Sequence, residues 1–411
     1  MGNNSPTDNK AKGFSFLLVR LLRQFLTERL MNNTMMISEL TLHHRTLHLN
    51  RFPKKDKETL QAWDAGDEYI INYMEELNLS APKNILILND NFGALSCWFN
   101  QNHNVTMMSD SFISHQATRT NIASNQCNEI RILNTMDEIP NKVDVVLIQL
   151  PKNNRHLIWQ LNQLRKALKS EVPVIAVNKA RDIHTSTLKL FEKHLGQTQT
   201  SLAWKKHRLI FSQANSSTPI EYRDYTGWNV PEHDIYLDNL PNVYSGESLD
   251  IGARFMLEHL PVETKIKHVI DLGCGNGVLA IKMARLNPGI KLTCVDESFM
   301  AIASAKRNLA QNLTEEHDID LIANNCLDDL NIKNVDVILC NPPFHQQQTI
   351  TDHIAWQMFC DAKQILKPGG QLLVIGNRHL GYDGKLSRLF GKRNVSVVAS
   401  NKKFVILQAS K

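Results

Sequence analysis

The residues best suited to chemistry lie in one ten-residue stretch, 335–344, which reads Val-Asp-Val-Ile-Leu-Cys-Asn-Pro-Pro-Phe. Its apolar run predicts a buried parallel strand, which the two prolines after Asn341 end because they lack backbone donors. Ligands of open α/β sheets bind at the carboxyl ends of strands. The side-chain oxygen of Asn341, the main-chain oxygen of Pro342 and the ring of Phe344 could therefore contact one ligand.

Two acceptors beside an aromatic ring suit a planar amine, such as the exocyclic amine of a nucleobase. That nitrogen is a poor nucleophile because its lone pair is delocalised into the ring. Hydrogen bonds to Asn341 and Pro342 would favour a pyramidal nitrogen and direct the lone pair at an electrophile, while Phe344 stacks on the base. The alternative is structural, since Asn-Pro is a common turn dipeptide.

A second motif follows the predicted strand 268–272. The turn Gly-Cys-Gly-Asn-Gly, 273–277, leads into a predicted helix that begins at Val278. Glycines allow the backbone to approach a ligand at a helix N-terminus, so Gly273 and Gly275 are candidate contacts. Val278 occupies the third glycine position of the dinucleotide fingerprint, which argues against a nicotinamide cofactor.

The next predicted strands end in residues that suit an adenosine. Strand 290–295 is followed by Asp296-Glu297, whose carboxylates could accept both ribose hydroxyls, and Asn325-Cys326 could frame the adenine. The alternative for Asp296 is a helix N-cap before Ser298. An adenosine ligand without a phosphate-binding loop, beside an amine-binding turn, indicates S-adenosylmethionine.

The elements that must position these residues are typical of a methyltransferase. After residue 344 we predict a helix (352–366), a turn (367–370), a strand (371–375) and a closing hairpin within 395–407. This order predicts a seven-stranded sheet with an antiparallel last strand.

The N-terminal half repeats the same motifs in the same order. The aligned segments are 89–96 with 273–280, 106–112 with 293–299, and 143–152 with 335–344. The predicted fold class is therefore α/β, with two tandem Rossmann-like methyltransferase domains that arose by duplication.

The first copy has lost the residues that could do chemistry. Asn89 and Asn91 replace Gly273 and Gly275, Ser109 replaces Asp296, and Gln149-Leu150 replaces Asn341-Pro342. The first copy therefore lacks the glycines that let a ligand approach the backbone, the carboxylate for the ribose and the amine-binding turn. We interpret this half as a catalytically inactive domain retained for binding, with a second active site as the alternative.

The binding surface of the first copy is predicted from basic residues. Lys179-Ala-Arg-Asp-Ile-His184 follows a predicted strand, and Lys205, Lys206 and Arg208 lie next to Trp204. Aromatic residues beside basic ones suit RNA. The alternative is a solvated charged face.

Composition limits the remaining possibilities. The 411 residues are 42% hydrophobic and 21% charged, with a net charge of +5, which is typical of a soluble, multidomain protein and permits an anionic partner. The seven cysteines form no Cys-x-x-Cys pair, so we expect reduced thiols, a cytoplasmic location and no metal site.

Domain boundaries follow from these patterns. Residues 14–30 predict an amphipathic helix that Arg20 and Arg23 make too polar to span a membrane. We expect a poorly ordered extension without membrane association, with membrane attachment as the alternative. The predicted divisions are an extension (1–35), a degenerate domain that binds RNA (36–212), a linker (213–221) and a catalytic domain (222–411).

From about residue 36 to the end, the chain resembles the bacterial two-domain ribosomal RNA guanine-N2 methyltransferases, most closely those of the large subunit. The resemblance is carried by the segments 179–187, 203–206, 271–277, 296–298, 341–347 and 377–380. It implies S-adenosylmethionine as cofactor, a guanosine of 23S ribosomal RNA as acceptor, and an N-terminal domain that helps to hold RNA.

Together, the motifs and the resemblance yield a set of candidate site residues. The candidates for cofactor binding are Asp271, Gly273, Gly275, Asn276, Asp296, Glu297, Asn325, Cys326 and Asn341. Asp250 and Arg254 match a family segment that precedes the cofactor turn, which favours a pocket role over a core one. His345 and Arg378 could donate to guanine O6 or N7.

Several functions remain open. The same amine-binding turn serves adenine-N6 and protein-glutamine methyltransferases, the acceptor could lie in the small subunit, and the chain could be a non-catalytic RNA-binding assembly factor. The base must leave its stack to reach Asn341, so protein-free or early-assembly large-subunit RNA is the expected substrate.

Overall fold

The computed structural model describes most of the chain. It describes residues 38–55, 58–79, 82–169, 171–215, 222–343 and 348–411, with side chains from 353 onward in the last range. The predicted helix at 14–30 and the candidate contacts Phe344 and His345 lie outside these residues. Within them, no helix has both the length and the apolar character needed to cross a membrane.

The N-terminal half forms a hairpin followed by an α/β sheet. The hairpin strands are β1 (Glu39–Leu42) and β2 (Arg45–His48). The sheet strands are β3 (Asn84–Leu88), β4 (Asn104–Ser109), β5 (Arg131–Asn134), β6 (Val145–Gln149), β7 (Pro173–Lys179), β8 (Thr198–Thr200) and β9 (His207–Gln213). The helices are α1 (Ala65–Glu76), α2 (Ala94–Phe99), α3 (Phe112–Ser124), α4 (Asn154–Ala167) and α5 (Thr185–His194).

The C-terminal half repeats this arrangement. A hairpin of β10 (Thr226–Val230) and β11 (Ile235–Asn239) comes first. The sheet strands are β12 (His268–Leu272), β13 (Lys291–Asp296), β14 (Ile319–Ala323), β15 (Val335–Cys340), β16 (Leu366–Asn377), β17 (Val395–Ser400) and β18 (Phe404–Ser410). The helices are α6 (Ile251–Leu257), α7 (Val278–Leu286), α8 (Phe299–Asn312), α9 (Gln348–Ile365) and α10 (Tyr382–Phe390).

The two sheets have the same strand order. In the described residues it is β5-β4-β3-β6-β7-β9-β8 in the first and β14-β13-β12-β15-β16-β18-β17 in the second. The first five strands of each are parallel, whereas β9 and β18 are antiparallel to their neighbours. The predicted fold class is thereby confirmed, and the carboxyl ends of the parallel strands meet at one edge of each sheet.

The apolar runs explain why these strands lie inside the sheets. Every residue of β15 is buried, and the apolar residues of β12 and β15 are divided between two core clusters on opposite faces of the sheet. Strands covered by helices on both faces need side chains that avoid water in both directions. The continuous apolar run before Asn341 therefore dictates a central position for β15.

Local signals set several element ends differently from the sequence-based predictions. The predicted helix around 60–77 begins at Ala65, because Asp64 and Asp67 form a capping box at its N-terminus. The predicted turn at 367–370 is part of β16, where the register opposite β15 shifts between Val335 and Val337. The predicted linker overlaps β9, whose last residue is Gln213.

Candidate active site

The glycine-rich turn connects β12 to α7 and lies against the end of β13. The backbone amides of Gly273 and Cys274 both donate to the carbonyl oxygen of Val295, at 2.8 and 3.0 Å. Gly275 has a φ of +53°, and a Cβ added there would meet no atom within 4 Å. The backbone at Gly275 is therefore open to close approach by a ligand.

Asp296 fastens this turn to the end of β13. Its Oδ2 accepts from the amide of Gly275 at 2.9 Å, and its Oδ1 accepts from the amide of Ser298 at 3.0 Å. The N-cap of α8 is Ser298, whose Oγ accepts from the amide of Ala301 at 3.1 Å. The capping role considered for Asp296 thus belongs to Ser298, and Asp296 remains the candidate ribose ligand.

Asp271, which precedes the turn, and Asn276, which lies within it, are both buried. Asp271 Oδ2 accepts from the amide of Ala280 at 3.2 Å. Burial raises the pKa of Asp271 to about 7, and the nearby charge of Asp296 acts in the same direction. Asn276 Oδ1 accepts from the amide of Val278 at 3.3 Å. The structure therefore brings these predicted residues to the same edge as the glycines.

The two ends of the Asn341 amide have different surroundings. Its Nδ2 lies 3.4 Å from Asp250 Oδ2, whereas its Oδ1 is buried and has no hydrogen-bond partner among the described residues. The same Asp250 oxygen accepts from the amide of Ala253 at 2.8 Å, which caps α6. Because an unpaired buried acceptor is costly, Asn341 Oδ1 indicates a donor supplied by a ligand. Pro342 is buried next to it.

The turn after β14 reaches the same edge. The amide of Asn324 donates to the carbonyl oxygen of Asp296 at 2.9 Å. Asn325 Nδ2 donates to Asp328 Oδ2 at 2.5 Å, and Cys326 has a φ of +49°. Asn325 and Cys326 therefore belong to a structured turn beside Asp296, and their contact with adenine remains a prediction.

Two other predicted contacts have partners within the chain. Glu297 Oε2 accepts from Ser111 Oγ of the N-terminal half at 2.7 Å, so this carboxylate lies between the two sheets. Arg254 forms an ion pair with Glu232. Neither contact tests the predicted ligand roles of Glu297 and Arg254.

Of the candidate RNA-binding residues, Lys205 and Lys206 lie on the turn between β8 and β9, and Arg208 is the second residue of β9. Lys205 Nζ forms an ion pair of 2.6 Å with Glu68 and lies 4.5 Å from the ring centroid of Trp204. Lys206 is exposed, while Arg208 Nε is buried without a hydrogen-bond partner among the described residues. Lys206 is consequently better placed than Lys205 to contact phosphates.

The corresponding edge of the N-terminal sheet is closed by its own side chains. Asn89 Nδ2 donates to the carbonyl oxygen of Gln149 at 2.8 Å and to Gln160 Oε1 at 3.1 Å. Asn91 Nδ2 donates to Gln149 Oε1 at 2.7 Å, and Gln149 Nε2 donates to the buried carboxylate of Asp67. These internal bonds support the interpretation that this copy is inactive.

Sequence reasoning missed two features of the site. It did not connect Asp250 with Asn341, and it gave no separate role to Asn377. The Oδ1 of Asn377 is buried without a partner among the described residues, at the end of the strand adjacent to β15. The available signal was its position, because a polar residue that ends a neighbouring parallel strand faces the same edge.

The residues present fit S-adenosylmethionine. The turn at Gly275 leaves room for the ligand, and Asp296 offers a carboxylate for the ribose. The Asn341 oxygen, unpaired within the described part of the chain, suits an amine acceptor beside the cofactor. This set of groups agrees with the cofactor predicted from the sequence.

Two family models together cover most of the chain. The RLMG N-terminal domain matches residues 37–216, and the methyltransferase small domain matches residues 234–408. The first contains the closed sheet edge, and the second contains every candidate cofactor residue.

Curated proteins from two Vibrio species are similar over nearly their whole length. The ribosomal RNA large subunit methyltransferase G of Vibrio parahaemolyticus is 65% identical over 376 residues, covering 92% of this chain and 98% of that protein. The protein of the same name from Vibrio vulnificus is 66% identical, with 92% and 100% coverage.

The fold is also similar to a solved structure, that of the T. thermophilus 16S ribosomal RNA N2 G1207 methyltransferase in complex with S-adenosylmethionine and guanosine. The TM-score is 0.69 at 17% identity, with 91% of this chain and 97% of that chain covered. The chain belongs to the ribosomal RNA large subunit methyltransferase G family and is an S-adenosylmethionine-dependent methyltransferase.

Proposed function

We propose that this protein methylates the exocyclic N2 amine of a guanosine in 23S ribosomal RNA. The observation that carries the proposal is the buried Oδ1 of Asn341 at the carboxyl end of β15, which has no hydrogen-bond partner among the described residues. The names of the curated relatives support a large-subunit acceptor. The similar T. thermophilus enzyme, which bears the N2 position in its name, supports the choice of amine.

Asn341 and Pro342 would hold the acceptor amine in a reactive geometry. Asn341 Oδ1 accepts one hydrogen and the carbonyl oxygen of Pro342 accepts the other, which favours a pyramidal nitrogen and exposes its lone pair. Because Asn341 Nδ2 faces Asp250, the amide is oriented with its oxygen towards the acceptor. The cofactor, when bound, supplies an electrophilic methyl group.

The cofactor would be held at the turns that end β12, β13 and β14. Asp296 is proposed to accept from the ribose hydroxyls, and Gly275 leaves room for the ligand backbone. Asp271 and Asn276 lie beside the same turn, and Asn325 and Cys326 would frame the adenine. We propose Glu297 as a further cofactor contact through its position next to Asp296.

Donors at the rim favour guanine over adenine. Arg378 is exposed just after β16, and its Nη1 lies 3.4 Å from the carbonyl oxygen of Asn401. Its remaining donors suit the O6 and N7 acceptors of guanine, whereas adenine has an amine in place of O6. We propose the same role for His345, and a contact with the RNA for Arg254.

The N-terminal domain is proposed to bind the RNA backbone through Lys205, Lys206 and Arg208. Lys205 and Lys206 lie on a turn that is joined to the end of β7 by a 2.8 Å bond from the amide of Ala180 to the carbonyl oxygen of Lys206, and Arg208 follows in β9. Basic side chains on a rigid turn can contact phosphates without reading sequence. The substrate would be protein-free or early-assembly RNA in the bacterial cytoplasm, because the target base must leave its stack.

The test is to incubate the protein with labelled S-adenosylmethionine and protein-free 23S RNA, digest the RNA to nucleosides and identify the product by mass spectrometry. We expect N2-methylguanosine from the native protein and none from Asn341→Ala. Small-subunit RNA and assembled large subunits serve as parallel substrates. Label in methyladenosine or in protein glutamine would contradict the proposal.

A further inference from the structure

The two halves of the chain meet at equivalent positions of the repeat. The turn after β4 (110–112) lies against the turn after β13 (297–299), and Ser111 and Ser298 form an antiparallel bridge. Two backbone hydrogen bonds of 2.9 Å, one in each direction, flank this bridge. The contact is therefore locally symmetric, although only one of the two turns borders a candidate cofactor site.

The side chain of Asp110 crosses the contact. Its Oδ2 accepts from Ser298 Oγ at 2.6 Å and from Asn242 Nδ2 at 2.7 Å. Its Oδ1 accepts from the amide of Met300 at 2.8 Å and from Thr135 Oγ1, in its own domain, at 2.8 Å. The residue is 3% exposed. Short hydrogen bonds to a buried carboxylate are among the stronger ones in proteins, so this contact fixes the start of α8.

The bonds of Asp110 continue into the candidate cofactor site. Ser298, which donates to Asp110 through Oγ, also donates through its amide to Asp296 at 3.0 Å. Asp296 in turn accepts from the amide of Gly275 at 2.9 Å. A continuous chain of hydrogen bonds thus links the N-terminal domain to the glycine turn.

We propose that Asp110 is a positioning residue for the cofactor site. By fixing Ser298 and the first turn of α8, it holds Asp296 where its carboxylate meets both the glycine turn and the cofactor. The N-terminal domain would then serve the reaction in a second way besides RNA binding. The inference rests on the proposed function, and in particular on the role of Asp296 in cofactor binding.

The primary test is Asp110→Asn in the full-length protein. Asparagine keeps the volume, but it places a donor opposite Asn242 Nδ2 and removes the charge. We expect the affinity for S-adenosylmethionine, measured by calorimetry, to fall about tenfold, the scale of lost hydrogen bonds to a charged group. RNA affinity, measured in parallel, should change less than about twofold, because the basic turn is not touched.

The chain offers a matched control and a rescue. Asp144→Asn removes a carboxylate at the opposite edge of the same sheet, where it accepts from the amide of Asn84 at 2.7 Å, and it should leave cofactor affinity unchanged. The double variant Asp110→Asn with Asn242→Asp exchanges donor and acceptor across the contact. The exchange restores the bond between positions 110 and 242 but not the acceptor for Ser298 Oγ, so it should regain part of the lost cofactor affinity, which a merely packed interface would not predict.

Three results would overturn the proposed role of Asp110. Native cofactor affinity in folded Asp110→Asn would overturn it, as would an equal loss of cofactor and RNA affinity. If Asp110→Asn does not fold, Asn242→Ala removes one bond, and we expect about threefold weaker cofactor binding; no change there would also overturn the inference. Unchanged affinity in Asp296→Ala would instead refute the cofactor site itself.

Discussion

The carboxyl edges of the two sheets differ in how their polar groups are satisfied. In the N-terminal sheet, Gln149 bonds to Asn91 and Asp67, so the turn residues bond to one another. In the C-terminal sheet, the aligned Asn341 keeps one buried oxygen without a partner among the described residues. An edge that binds no ligand can saturate its own polar groups, whereas a binding edge must leave some of them for the ligand.

The backbone conformation of the two turns is more alike than their side chains. Asn89 has a φ of +63°, close to the +77° of Gly273 with which it aligns. Asparagine tolerates this left-handed conformation better than most residues, so the turn persisted when the glycine was lost. The fold of the turn and its openness to a ligand are therefore separable.

The largest effect is expected for Asn341→Ala. The variant loses the acceptor that orients the amine, so turnover should fall by at least about a hundredfold. Cofactor affinity should stay within severalfold. The free energy of unfolding should change little, because Asn341 Oδ1 has no partner among the described residues to lose and the Nδ2 contact with Asp250 is long, at 3.4 Å. Single-turnover kinetics, calorimetry and chemical denaturation measure the three quantities. Equal losses of cofactor binding and turnover would make Asn341 mainly a cofactor ligand.

The aligned substitution in the first copy, Gln149→Ala, should lower stability and leave turnover unchanged. It removes the bonds to Asn91 and to the buried Asp67, so the free energy of unfolding should fall by about 1–3 kcal/mol. Turnover at a temperature where the variant is folded should remain native. If transfer is abolished while stability is kept, the first copy takes part directly in the reaction.

The fold was the more predictable part of the molecule. Apolar runs and the aligned segments are local patterns, and they were enough to predict that Asn341, Asp296 and the glycine turn share one sheet edge. The family resemblance favoured a pocket role for Asp250, but its contact with Asn341 was not visible, nor was the contact of Asp110 with Ser298, because these pairs are 91 and 188 residues apart. Such pairs depend on how the elements dock, which no local pattern encodes.

A smaller effect is expected in the pH dependence of cofactor affinity at the C-terminal edge. Burial raises the pKa of Asp271 to about 7, and a cationic cofactor nearby favours the ionised carboxylate. Binding should therefore release a proton, and affinity should rise with pH through about 7 and level off above it, by at most about tenfold per pH unit. Calorimetry in buffers of different ionisation enthalpy measures the released proton. The pH profile of Asp271→Asn should be flatter than that of the native protein, and Glu297, whose pKa burial also raises to about 7, accounts for the slope that is left. A native profile in that variant would exclude Asp271 as the source.

The smallest effect concerns the basic turn of the first copy. Replacing Lys205, Lys206 and Arg208 by alanine should weaken RNA binding severalfold and flatten its salt dependence, by about one unit of log–log slope for each phosphate that is no longer neutralised. Lys205 should contribute least, because Glu68 already pairs with it. The charge-matched control replaces three lysines that precede strands at the opposite edge of the sheet, namely Lys83, Lys142 and Lys169. Equal effects of the two triple variants would mean that RNA binding does not depend on this turn.

The most direct test of the contrast between the two edges is the number of cofactor molecules bound per chain. Titration calorimetry of the full-length protein with S-adenosylmethionine should give one site, and Asp296→Ala should weaken it by about 1.5–3 kcal/mol. The closed edge around Gln149 should contribute no second site. Two bound cofactors per chain, or one that persists with native affinity in Asp296→Ala, would contradict the assignment of binding to the C-terminal copy alone.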